Sequence, residues 1–346
     1  MSAYPYRPMV ASALTAVLIG FAGAAPAAEV ATLRYGIDDE KNINRLPQVV
    51  AEREGFFSRE GLRVQIVPFT SSFRVPAAGQ NSAANPVTVR EGMETGAVDM
   101  TRQQLPILIN DTLTGRVKGR FVGVAIAASN PVYSLVVRPE IRSFADLKGK
   151  TVTLTGLHDA ITLWTRELLE LHGVGKNDVQ VRSIAGSDGR LACMKSGECA
   201  AASMAQPTVF EALDAGYHTL GMTNEIAPLL YQLEIVNPVW AAAHRDTVVK
   251  YIRATTAANR FILDPRNRDA VIRVTMAFMG EPENRTRQML SAIWDPKNRV
   301  FAQRPEIDMN NVRATIALLG EYGILKPPLP QAEQYVDPTY AIAAGR

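Results

Sequence analysis

Three carboxylates and an amide stand close together at Asp38, Asp39, Glu40 and Asn42, just after a short apolar run. Such a group can receive an amine or a polarised N–H of a small molecule. It suits equally the first turn of a helix, where the macrodipole favours acids. Asn42 has the wider repertoire, because an amide both donates and accepts. Further along, Arg102 and Gln103 follow a second apolar run. A guanidinium there can hold a carboxylate, sulfonate or phosphate by its bidentate fork, or simply form a surface ion pair. Asn130 precedes Pro131, which is ordinary turn chemistry, or places an amide at a cleft if two parts of the chain cross there. Thr155 to Asp159 closes one apolar run and opens a helical one. A helix start offers free N–H donors to an anion, and His158 or Thr162 would add a directional contact. On the other reading Asp159 is an N-cap and His158 a solvated loop residue. Gln206, with Pro207 behind it at the favoured first helical position, and Asn224 follow strand-like runs in the same way. Tyr133 and Trp240 are aromatic candidates for stacking or for burial.

Catalytic and metal chemistry have less to work with. The four histidines, His158, His172, His218 and His244, lack metal-ligand spacing. Neither a phosphate-binding glycine loop nor a nucleophile elbow occurs; Gly186-Ser187-Asp188-Gly189 lacks the elbow's pattern. Cys193 and Cys199 stand six apart with Gly197 between them to turn the chain. In an oxidising compartment they can pair, or remain two buried thiols; without a nearby His or second cysteine pair they make a poor zinc site. No metal, no cofactor and no catalytic set is expected.

These residues are placed by alternating elements. Apolar spacing predicts strands over residues 31–36, 62–69, 98–101, 121–127 and 133–138, with helices over 46–59, 87–95 and 105–114. The same grammar repeats: strands over 151–155, 179–184, 200–204 and 217–222, with helices over 160–171, 189–195 and 207–215. Residues 70–86, rich in Ser, Ala, Asn, Gly and Pro, read as a loop. After Arg245 helical periodicity dominates. Strands alternating with helices predict α/β units on largely parallel sheets, here duplicated into two lobes, with residues 129–131 and 237–238 as candidate crossings.

The opening of the chain reads as an export signal. Arg7 precedes an uncharged apolar run from Met9 to Ala24, and Ala25-Pro26-Ala27 offers a small-x-small cleavage site. The run is shorter than the roughly 20 residues of a membrane span. With no cysteine at the cleavage point to carry a lipid, a bacterial periplasm is the expected location. A net charge of +3, with Arg7 removed along with the signal, is too balanced for a nucleic-acid or anionic-membrane partner.

The residues also carry a family pattern. It runs through Glu54-Gly55-Phe56-Phe57-Ser58-Arg59-Glu60-Gly61-Leu62, Gly96-Ala97-Val98-Asp99-Met100, Ser134-Leu135-Val136-Val137-Arg138, Asp146-Leu147-Lys148-Gly149-Lys150 and Met194-Lys195-Ser196-Gly197-Glu198. In this order the chain resembles the solute-binding proteins of ABC importers for nitrate, sulfonates and thiamine precursors, the NitT/TauT-type group. The resemblance implies a type II, two-lobed Venus-flytrap fold with a helical C-terminal part. It implies a monomer that closes on a small polar solute and delivers it to an inner-membrane permease. The expected division is signal 1–27, first lobe 28–129, second lobe 130–236, and a return to the first lobe over 237–346. The other readings are an enzyme of the thiamine-pyrimidine-synthase kind on the same fold, or a ligand-sensing subunit for a membrane receptor. The second family site reads Gly197-Glu198-Cys199-Ala200-Ala201, without the family's Asp, which leaves the solute open.

Overall fold

The computed structural model describes residues 30–37, 41–69, 88–130, 132–156, 158–226 and 230–346. The segment expected to be an export signal, Asp38, Asp39, Glu40 and residues 70–86 lie outside these residues. The strands are β1 (Ala31–Ile37), β2 (Leu62–Pro68), β3 (Met100–Gln104), β4 (Val122–Ala128), β5 (Tyr133–Val137), β6 (Thr151–Leu154), β7 (Gln180–Ser183), β8 (Ala201–Ala205), β9 (His218–Met222) and β10 (Gln232–Val236). The first helices are α1 (Leu46–Arg53), α2 (Phe56–Arg59), α3 (Val89–Glu94), α4 (Leu105–Leu113), α5 (Ala160–Leu171), α6 (Ser187–Lys195) and α7 (Thr208–Asp214). Those after β10 are α8 (Pro238–Ala243), α9 (Arg245–Leu263), α10 (Arg268–Met279), α11 (Glu283–Trp294), α12 (Met309–Glu321) and α13 (Thr339–Ala344).

The strands build two five-stranded sheets, ordered β2-β1-β3-β10-β4 and β7-β6-β8-β5-β9. In the first, β10 is antiparallel to β3 and β4; in the second, β5 is antiparallel to β8 and β9. The sheets therefore share one topology. In each, the antiparallel strand is the one laid down as the chain arrives from the other sheet. The outward passage is residues 129–132. The return is residues 223–231, because β10 already belongs to the first sheet. The return thus lies upstream of Asn237, whose Oδ1 instead caps α8 by accepting from the Val239 and Trp240 amides. β10 escapes an alternation test because all five of its residues are buried.

Local chemistry sets the element ends. The single helix expected over 46–59 divides into α1 and α2 at Gly55, whose φ of 72° is left-handed. Thr88 and Glu91 form a capping box at α3. Pro207 is the residue before α7 and not its first helical residue; it follows Gln206 through a cis peptide bond.

Each sheet is packed on both faces. Leu33, Tyr35 and Met100 of the first meet α1 and α9, and Leu233 and Ile235 meet the side of α4 and α12. In the second, Leu135 and Leu154 pack with Leu168 of α5, and Val136 and Met204 with Leu191 of α6. Cys193 and Cys199 are joined by a disulfide at the end of α6, with Cα atoms 5.4 Å apart. A further cluster, Ala128, Ala160, Ile161, Trp164 and Tyr231, joins the two halves. Trp164 sets its ring edge-on to Tyr231, centroids 5.3 Å apart. No helix among the described residues is long and apolar enough to cross a membrane.

Candidate ligand-binding site

The ends of β3 and α5 meet between the sheets. Gln104 closes β3, and its side-chain oxygen accepts the Ala160 amide at 2.7 Å, so one residue ties the first sheet to the start of α5. Asp159 caps that helix by accepting from the Ile161 amide at 2.8 Å, and the Thr162 amide donates to the Asp159 carbonyl at 3.0 Å. The first three donors of α5 are thus taken by protein groups. The expectation that this helix start presents free donors to an anion is corrected: Gln104 and Asp159 stand where the anion would. Burial raises the Asp159 carboxyl above its ordinary value, opposed by the Ile161 amide, Gln104 and the charge of Arg190.

Arg102 lies two residues before Gln104 on the same face of β3. Its Nη1 is buried and has no hydrogen-bond partner among the described residues. A buried guanidinium donor left unmet is costly, so such a position asks for an acceptor. Glu234 of β10 stands directly opposite in the strand register. Yet its carboxylate is bonded elsewhere: it accepts from the Tyr35 hydroxyl at 2.7 Å, the Tyr251 hydroxyl at 3.0 Å and Gln48 Nε2 at 3.2 Å. Gln48 also donates to both tyrosine oxygens at 2.9 Å. Tyr35 and Tyr251 stack, centroids 5.6 Å apart. Burial pushes the Glu234 carboxyl up to about 7, against the pull of the tyrosine hydrogen bonds and the Arg102 charge. Beside Arg102 sits Tyr231, buried and hydrogen-bonded to Tyr133 of the second sheet; burial holds its hydroxyl well above the ordinary range.

The remaining expected residues fall into separate places. Thr162 is buried and its hydroxyl meets that of Thr155 at 2.9 Å, at the mouth of α5. His158 is near Asp111 and Arg116, with a buried Nδ1 that has no partner among the described residues; burial, then Arg116, lowers its pKa. Asn42 caps a short 3-10 turn by accepting from the Asn44 amide at 3.0 Å. The Gln103 side chain accepts the Gln104 amide at 3.0 Å. Gln206 is half-buried at the end of β8, beside the cis bond to Pro207. Asn130 and Asn224 form a group of their own. Asn130 Nδ2 donates to the Asn298 carbonyl at 3.1 Å, and Asn224 Nδ2 donates to Asn298 Oδ1. Asn298 thereby fastens both passages between the sheets. Asp38 and Asp39 lie outside the described residues. Sequence reasoning missed Glu234, Tyr231, Gln104 and Asn298. Only Gln104 carried a signal, as the amide beside Gln103 at a strand end.

Among the described residues no three His, Cys, Asp or Glu side chains gather as a metal site would need. Polar groups converging where β3 meets α5, two sheets of one topology and two passages between them define the two-lobed periplasmic-binding-protein fold. The chain belongs to the NMT1/THI5-like family, whose model matches residues 42–267. No curated protein matches the sequence. Among solved structures, the chain is similar to the alkanesulfonate-binding protein SsuA from Xanthomonas axonopodis pv. citri, bound to MOPS, at 18% identity and a TM-score of 0.65, over 90% of this chain and 99% of that one. It is similar to the periplasmic nitrate-binding protein NrtA from Synechocystis PCC 6803 at 13% identity and a TM-score of 0.69, over 91% and 88%. It is also similar to the desulfurization enzyme DszB, at 17% identity and a TM-score of 0.61, over 91% and 98%.

Proposed function

We propose that this protein is the periplasmic solute-binding component of an ABC importer, exported by its N-terminal signal and working as a monomer with an inner-membrane permease. It captures a small anionic or zwitterionic solute between its lobes, with Arg102 as the anion receiver. The observation that carries this reading is the buried Arg102 nitrogen, which has no partner among the described residues and faces a Glu234 already occupied by other donors. Two features support a flytrap: each sheet borrows a strand across a double passage, and polar groups of the two halves meet, Gln104 with the Ala160 amide and Tyr231 with Tyr133. The sulfonate and nitrate ligands in the names of the similar structures point to the same ligand charge.

The likeness to a desulfurization enzyme favours a second reading, catalysis on the same fold. Against it, both cysteines of the chain are spent in the Cys193–Cys199 disulfide, which leaves no thiol nucleophile. A thermal-shift panel of sulfonates, carboxylates, nitrate, pyrimidines and amines separates the readings. A ligand specific to the native state adds roughly 2.7 kcal/mol at 100 times its Kd. The binding reading expects a hit recovered unaltered after incubation; a hit converted to product supports the enzyme.

A further inference from the structure

We infer that Glu234 is a positioning residue that couples the binding of a singly charged anion at Arg102 to the uptake of one proton. This rests on the reading of Arg102 as the anion receiver, and it adds a group that does not touch the ligand.

Arg102 and Glu234 are direct cross-strand partners, so their side chains rise from the same face, with Cβ atoms roughly 4.5–5.5 Å apart. Opposite charges so placed ordinarily pair. Here the carboxylate turns to three neutral donors, Tyr35 of β1, Gln48 of α1 and Tyr251 of α9. Its other strand neighbour, β4, presents Ala125 opposite it. Among the described residues Arg102 is therefore the charged group that faces Glu234, close enough to act on it through space and not bonded to it. Glu234 holds the guanidinium's charge in balance without using its donors.

That arrangement has a consequence for binding. An anion taken by Arg102 brings a second negative charge toward a carboxylate that is 3% exposed. Water cannot screen the two, and the charge of Arg102 is then shared between them. The carboxylate meets this by taking a proton from solvent, which leaves Arg102 paired with the ligand alone. Reciprocity fixes the rest: if the anion raises the proton affinity of Glu234, the proton raises the affinity for the anion by the same factor. Because the carboxyl of the ligand-free protein titrates at about 7, the effect falls in the physiological range. The tyrosines around it are held in their neutral form by burial and by Glu234 itself, so they do not titrate in this window.

The test is calorimetric titration of the mature protein and of Glu234→Gln with ethanesulfonate and with nitrate, whose charges are fixed between pH 6 and 8. Each is titrated at pH 6, 7 and 8 in two buffers of different ionisation enthalpy, which counts protons taken up. The wild type is expected to bind about tenfold more tightly at pH 6 than at pH 8 and to take up a fraction of a proton at pH 7. Glu234→Gln is expected to show a flat profile and no uptake. Should that variant not fold, Tyr35→Phe removes one donor to the carboxylate and is expected to move the midpoint to higher pH. Wild-type binding with constant Kd and no proton uptake overturns the role of Glu234 and leaves Arg102 as a binding residue. Failure of both anions to bind overturns the anion site and this inference with it.

Discussion

At the scale of single residues, a buried carboxyl, Glu234, and a half-buried guanidinium, Arg102, face each other across two strands without pairing. Glu234 has a price in stability that the pH dependence exposes. Its carboxyl is raised from 4.5 to about 7 in the folded protein. The folded state therefore holds a proton that the unfolded chain has lost, and the favourable contribution is complete below about pH 4.5 and lost as pH rises through 7. The size of the loss is on the order of 3 kcal/mol. Urea melts of wild type and Glu234→Gln at pH 5, 6, 7 and 8 isolate this group: the stability difference is expected to move in favour of the Gln variant as pH rises. A difference constant with pH would contradict it. Arg102 is a candidate from its type and its place after an apolar run. Its partner is not, because the contacts that define the pair are distant in sequence: Tyr35 and Glu234 are 199 residues apart. Spacing rules see only neighbours on one element.

At the scale of elements, the passages between the sheets are fixed by a residue that belongs to neither. Asn298, 4% exposed in the loop after α11, bonds to Asn130 on one passage and to Asn224 on the other. The Val300 carbonyl beside it accepts the Ser129 amide at 2.9 Å. Asn298→Ala leaves the Asn224 amide without its acceptor and is expected to lower stability by about 1–3 kcal/mol. In small-angle scattering the ligand-free variant is expected to populate more extended shapes than wild type; identical profiles would show that Asn298 does not restrain the passages. The disulfide ends α6 by closing a short loop of sequence separation 6. Loop-closure entropy for a ring of that size is worth roughly 2 kcal/mol, so Cys193→Ser with Cys199→Ser is expected to lower the melting temperature without changing ligand affinity. Most elements were legible as apolar runs or alternations closed by turn residues, as with β5, β6 and β8, which are buried almost throughout and carry no charge. β10 was not, since a strand buried along its whole length has no alternation to read, and a glutamate at its centre reads as exposed. The start of α5 misled for a different reason. Sequence shows that a helix start has donors; it does not show that Gln104, from another sheet, has already taken one.

At the scale of the whole molecule, one topology is used twice, and the two copies abut around a shared apolar cluster built on Trp164 and Tyr231. Trp164 is 1% exposed, and Trp164→Ala is expected to lower stability by about 3–5 kcal/mol, read from a denaturant midpoint. Polar pairs span the same boundary farther out: the Tyr322 hydroxyl donates to Glu167 at 2.8 Å, and Arg285 meets Asp214 at 2.6 Å. Duplication was visible in the repeated strand–helix grammar, whereas the exchange of one strand between the copies was not, because pairing order is a property of the sheets and not of the string.

Calorimetric titration of Arg102→Ala against wild type, using the strongest ligand from the thermal-shift panel, decides whether Arg102 holds the solute. Loss of a charged donor to a buried anion is worth about 2–3 kcal/mol, so the variant is expected to bind roughly 30- to 150-fold more weakly while melting at a similar temperature in the absence of ligand. Equal affinity in the two proteins would contradict the claim that the solute is held between the lobes by Arg102.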